Sequence, residues 1–169
     1  MQKKIVMIIA QNNFRDEELN ESKKVLEDRG VDIKMASSSS NPAKGMFGEV
    51  ITPDLTLNQI NVPEYDAIVF IGGSGAREYW EDAQALSLAR SAVDEGKILG
   101  AICIAPVILA NAGLLRGRRV TVFSSEVNTI EAKGAIFTGK SVEKDDNIIT
   151  ACGPEAAKEF GELLATTIG

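Results

Sequence analysis

Histidine is absent from this 169-residue chain. That absence excludes a Cys-His dyad, a Ser-His-acid triad and any histidine metal ligand drawn from this polypeptide. Cysteine is scarce too. Cys103 and Cys152 are the two present, too few for a disulfide scaffold and in keeping with a cytoplasmic setting. No apolar run approaches the length of a membrane span, and MQKKIVMIIAQN turns polar too soon for a secretory signal, so no membrane association is expected. Positive charge is also in short supply: 18 Lys and Arg stand against 24 Asp and Glu, for a formal net charge of −6. Arg116, Arg118 and Arg119 sit together, but a turn following a helix accounts for them, and no nucleic-acid partner is expected.

What is present reads as one α/β domain over residues 1–169, with 44% apolar residues and no repeat, linker or charge break. The run from Lys4 to Ala10 predicts a buried first strand, and Asp16 to about Asp28 a helix that Asp16 is placed to cap. Val31 to Ala36 predicts the second strand. Strand, helix, strand is the opening of a parallel sheet. DAIVFI, residues 66–71, predicts a third core strand running into Gly72-Gly73-Ser74-Gly75. A helix with Ala83, Leu86, Ala89 and Val93 follows, closed by Gly96. Tyr79 and Trp80 precede it, and Trp80 is expected to pack on the sheet or on a neighbouring subunit. Arg119 to Phe123 reads as a fifth core strand, Ala135–Val142 and Ile148–Ala151 as an edge hairpin, and Pro154 opens a last helix.

The stretch Lys97–Leu109, KILGAICIAPVIL, organises the rest. Its apolar run suits a strand buried on both faces, and Pro106 suits the first turn of a helix that Gly113 ends. Cys103 therefore falls at a strand-to-helix turn. Two readings follow: a thiolate stabilised by nearby helix amides, or a small apolar cysteine in the core.

In an open parallel sheet, loops at the carboxyl ends of adjacent strands share one crevice. That rule gathers Glu17 and Glu18, the glycine pair Gly72 and Gly73, Cys103, and Ser124, Ser125 and Glu126. Backbone N–H groups beside Cys103, from the glycine turn and Ile104, are candidate oxyanion donors. GGSGA lacks both the spacing of a dinucleotide fingerprint and a P-loop lysine, and no cofactor and no metal are expected. Cys152, after IITA, falls at the same sheet edge and reads as a pocket-edge or packing cysteine rather than a resolving partner. That reading leans on the strand Arg119–Phe123 intervening between it and Cys103.

FRDEEL, VFIGGSGA, LGAICIAPVILANAGLL and IITACGP, in this order and spacing, resemble the DJ-1/PfpI (ThiJ/PfpI) family within the class I glutamine amidotransferase-like superfamily, over about residues 3–168. The resemblance implies a flavodoxin-like three-layer αβα sandwich with a mostly parallel central sheet, often assembled as a homodimer. It makes Cys103 the reactive cysteine of a nucleophile elbow, Glu18 the acid that hydrogen-bonds its sulfur, and Gly72 and Gly73 the pair whose amides line the pocket. Ile104 stands where the peptidase-like branch carries histidine, Ala105 where it carries glycine, and Cys152 where some members carry arginine.

Three functions are compatible with these residues. The first is a cysteine-dependent hydrolase, hydratase or lyase acting on a small electrophile, with Glu18 exchanging a proton. The second is a redox-responsive stress protein in which peroxide oxidises Cys103 to sulfenate or sulfinate. The third is a binding module with an inert cysteine.

Overall fold

Five of the strands that build the central layer alternate their side chains between two buried faces, and that alternation decides the architecture. The computed structural model describes residues 1–169. Its central sheet has seven strands: β1 (Lys4–Ile8), β2 (Asp32–Ser37), β3 (Leu55–Thr56), β4 (Ala67–Phe70), β5 (Ile98–Ile102), β6 (Val142–Asp145) and β7 (Ile148–Ala151). Their spatial order is β6-β7-β5-β4-β1-β2-β3, all neighbours parallel except the antiparallel edge pair β6–β7. Ile5, Met7, Val69 and Ile102 face one apolar layer, and Val6, Ile8, Ile68 and Leu99 face the other.

Helices cover both faces. Helices α1 (Asp16–Asp28) and α5 (Ala157–Ile168) bury Leu19, Leu26, Phe160 and Leu164 on the first. Helices α2 (Ala83–Asp94), α3 (Pro106–Asn111) and α4 (Val127–Ala132) bury Leu88, Ile108 and Ile130 on the second. The result is an α/β fold with a mostly parallel sheet, consistent with the flavodoxin-like three-layer sandwich that the resemblance implies. No helix is long and apolar enough to cross a membrane.

Two local expectations are corrected. The segment Arg119–Phe123 is not a core strand: only Arg119–Val120 is extended, and it pairs with Ile136–Phe137 in a separate two-stranded ladder. Beyond Val120 the Thr121 amide donates to the Thr150 hydroxyl at 3.0 Å instead of to a neighbouring backbone, so the ladder stops. Strand β7 takes the place beside β5, with Ala151 opposite Ile102. No strand therefore separates Cys152 from Cys103.

Asp16 does not cap its helix either. Its carboxylate accepts the amides of Phe47 (3.0 Å) and Glu49 (2.9 Å), pinning the small hairpin Ala43–Ile51 against the start of α1. Trp80 packs against the core of its own chain, one of the two placements expected for it. Tyr79 is buried, its hydroxyl donating to Ile9 O at 2.8 Å, and Trp80 Nε1 donates to Ile104 O at 3.2 Å. Both aromatic side chains are thus accounted for within one chain, and they give no argument for a dimer.

Candidate active site

Strands β1, β4 and β5 lie side by side, so the loops at their carboxyl ends meet over one crevice. From the first comes α1, whose buried stripe runs Glu18, Leu19, Ser22, Leu26 at helical spacing. Glu18 sits on that stripe and is completely buried. From the second comes the glycine pair. The amide of Gly72 donates to Glu18 Oε1 at 3.0 Å, and a Cβ at this position would lie 2.5 Å from that oxygen and 2.6 Å from Cys103 Cβ. Gly73 adopts φ of +102°, a conformation that a side chain disfavours, and packs directly on the backbone of Asn13 to Arg15. From the third comes Cys103 itself, with φ of +66°. A left-handed non-glycine residue is strained by roughly 1–2 kcal/mol, and here the strain turns the chain out of β5 toward α3.

Around the sulfur the opposing influences are identifiable. Burial pushes the Cys103 thiol up to about 12, the neighbouring Glu18 carboxylate adds to that, and hydrogen bonds from the amides of Gly73 and Ile104 act against it. Burial likewise raises the Glu18 carboxyl to about 7, opposed by its interaction with Cys103 and by the Gly72 amide. Helix α3 opens at Pro106, and the donors that act on the sulfur are two single amides that do not outweigh its burial. Thiol and carboxyl repel each other's charge, so they titrate as a pair. Near neutrality that pair gives up one proton and keeps the other. Glu18 Oε2 is buried with no hydrogen-bond partner of its own.

The cavity above Cys103 has a volume of about 210 Å³. Ile104, Gly73 and Ser125 line it, as the sequence leads one to expect. Gly72 does not: its amide is engaged by Glu18 rather than held free for a substrate oxygen. Ser124 and Cys152 line an adjoining cavity that shares Arg15, Phe123 and Pro154 with the first. Glu126 is buried beneath the wall, accepting the Ser125 hydroxyl at 2.9 Å and the Thr129 hydroxyl at 3.2 Å. Glu17 turns away from the pair and binds the Arg15 guanidinium at 2.9 Å. Both cysteines are free.

Ser74, in the glycine turn that the sequence places at this crevice, also lines it, and sequence reasoning passes over Arg15, Met46, Arg77, Phe123 and Pro154, which complete the lining. Arg15 and Arg77 lie in the same strand-end loops that gave Glu18 and the glycine pair, so the crevice rule reaches them. Met46 arrives through the hairpin that Asp16 pins, a contact no local pattern announces. A larger concavity of about 670 Å³ lies between the first residues and the end of α5, but it has no cysteine and no carboxylate side chain. No group of three or more Cys, Asp and Glu is arranged to hold a metal ion.

The chain belongs to the DJ-1/PfpI family, whose model matches residues 3–167. It is 37% identical over 161 residues to an uncharacterised protein of Methanocaldococcus jannaschii, covering 94% of this chain and 78% of that one. It is 31% identical over 163 residues to a deglycase of Pyrococcus horikoshii, covering 94% and 98%. Among solved structures, the ThiJ/PfpI domain protein of Brachyspira murdochii superposes with a TM-score of 0.96 at 32% identity, covering 99% of this chain and 98% of that one.

Proposed function

We propose that this protein is a cysteine-dependent enzyme acting on small carbonyl electrophiles, with Cys103 as nucleophile and Glu18 as the group that moves its proton. The observation that carries this reading is the completely buried Glu18 carboxyl, fixed by Gly72 and coupled to the Cys103 thiol. A carboxyl raised to about 7 is poised to exchange a proton near neutral pH, which is what a general acid–base needs.

In the addition step, the Glu18 carboxylate takes the thiol proton as sulfur forms a bond to the carbonyl carbon. The C=O π pair moves onto oxygen. In this reading the oxyanion takes up the amides of Gly73 and Ile104, which act on the sulfur in the resting site, and Glu18 then returns its proton to the oxygen. The product is a neutral hemithioacetal, with one S–C bond made and the proton moved from sulfur to oxygen. No histidine enters this scheme, which suits a chain that has none. Similarity to a deglycase of Pyrococcus horikoshii supports reactive carbonyls as the substrate class. A purely redox-responsive role would use the same sulfur, with Glu18 and nearby N–H groups stabilising its sulfenate or sulfinate, so turnover separates the two readings.

Consumption of methylglyoxal and of simple aldehydes, followed for wild type, Cys103→Ala and Glu18→Gln, tests the reading. Turnover is expected to vanish in the first variant and to fall about 100-fold or more in the second. Equal rates in wild type and Glu18→Gln would overturn the assignment of Glu18.

A further inference from the structure

The cavity above Cys103 is cationic in a chain whose net charge is −6. Arg15 and Arg77 both line it, and no Asp or Glu does. The two guanidiniums differ. Arg15 is held by Glu17 through three contacts of 2.9–3.3 Å and stacks 4.8 Å from the Phe47 ring centroid, so its charge is largely answered within the protein. Arg77 forms no salt bridge with any carboxylate. Arg77 also lines a second concavity together with Glu78, Glu81 and Asp82, and none of these carboxylates forms a salt bridge with it.

Arg77 is nevertheless positioned. It lies 5.2 Å over the Trp80 ring, and that ring is fixed at its other end by the hydrogen bond from Nε1 to Ile104 O, the residue after the nucleophile. The Trp80 carbonyl in turn accepts Asn111 Nδ2 at 2.7 Å. A stacked guanidinium keeps its N–H edge free for an anion, and a planar fork matches a carboxylate.

We propose that the Cys103 site selects electrophiles bearing a carboxylate one bond from the reacting carbon, the chemistry of small 2-oxo acids, with Arg77 as the anion contact. The proposal rests on the reading of Cys103 as a nucleophile and adds the substrate class. A cavity of about 210 Å³ holds roughly seven water-sized volumes, ample room for a short acid. The cationic wall also answers an electrostatic need. The thiol–carboxyl pair becomes a monoanion as it gives up a proton, and an anionic electrophile approaching it without a counter-charge would be repelled.

The test is alkylation of Cys103 in the Cys152→Ser protein by iodoacetate and by iodoacetamide, which differ in charge and little in size. Second-order rate constants from intact mass are expressed as the iodoacetate:iodoacetamide ratio, divided by the same ratio for glutathione. At low salt the normalised ratio is expected to be at least about fivefold above one, rising to about fiftyfold for a cation about 7 Å from the incoming carboxylate at an effective dielectric of about 20. It should fall toward one in roughly 0.5 M salt and in Arg77→Met, and be largely retained in Arg77→Lys. A normalised ratio at or below one, or one unchanged in Arg77→Met, overturns anion selectivity while iodoacetamide reactivity leaves the nucleophile standing. If neither reagent modifies the folded protein while both modify it in urea, the nucleophile reading falls and takes this proposal with it.

Discussion

Glu18 and Gly72, 54 residues apart in sequence, are joined by a 3.0 Å hydrogen bond from the glycine amide to the carboxylate Oε1, deep beneath the Cys103 turn. Helix and glycine turn are thereby locked to each other at the point where the nucleophile leaves the sheet. A buried carboxyl held this way contributes reactivity at a cost in stability, and that cost depends on pH.

The folded-state value of Glu18 is raised from 4.5 to about 7. The fold therefore binds the proton more tightly than the unfolded chain does. Its benefit is complete below 4.5 and is lost as pH rises through 7. Glu18→Gln keeps an acceptor for the Gly72 amide and removes the titration. Relative to wild type, the variant should gain about 3 kcal/mol between pH 4.5 and pH 8. Urea unfolding of both proteins at the two pH values measures it. A difference independent of pH would show that Glu18 ionises freely in the fold.

Gly72→Ala should damage site and fold together. The added methyl would sit 2.5 Å from Ile102 O and from Glu18 Oε1, and the first of these is backbone that cannot swing aside. A loss of about 2–3 kcal/mol is expected from this overpacking. Alkylation of Cys103 should change with it, because the displaced carboxyl no longer faces the thiol. Unfolding free energy and iodoacetamide kinetics on the same preparation check the two effects.

The left-handed backbone at Cys103 predicts an unusual order of stabilities. Cys103→Gly should be more stable than Cys103→Ala by about 1 kcal/mol, the reverse of what is seen at an ordinary strand end. Thermal unfolding of the two variants decides it. If alanine is the more stable, the strained turn is not retained without the thiol.

The five central strands β1, β2, β4, β5 and β7, their parallel direction and the cysteine turn are legible in the sequence because they depend on local apolar runs and on one proline, whereas the edge strand expected at Ala135–Val142 lies at Val142–Asp145. Strand β5 is the clearest case. Its apolar run and the following Pro106 predict both the buried strand and the helix start. Arg119–Phe123 misleads for the same reason. Its local pattern suits a core strand, but the place beside β5 goes to β7, a long-range choice that Thr121 and Thr150 settle through a side-chain contact. At the thiol, helix-end amides are visible in sequence, whereas the burial that raises it is not. Arg77 escapes notice because its role depends on Trp80 being held by Ile104 O, a contact across 24 residues.

Cys152 stands one residue beyond the register pair Ala151–Ile102, on the strand adjacent to that of Cys103. Backbone proximity of roughly 4.8 Å between neighbouring strands puts the pair inside the range for a disulfide, contrary to the expectation of an intervening strand. Their side chains nonetheless line different cavities, divided by Phe123 and Pro154. Mild peroxide treatment is therefore expected to oxidise Cys103 without linking it to Cys152. Non-reducing peptide mapping that finds a dominant Cys103–Cys152 linkage would assign the pair to dithiol chemistry instead.

The most direct test of the coupled pair is the pH dependence of Cys103 alkylation by iodoacetamide in the Cys152→Ser protein, with and without Glu18→Gln. With Glu18 present, the rate should rise through a first step near pH 7, where the pair gives up one proton. Glu18→Gln should abolish that step and leave only a rise at higher pH. A single rise near the free-thiol value of roughly 8.5, identical in both proteins, would contradict the coupling of Cys103 to Glu18.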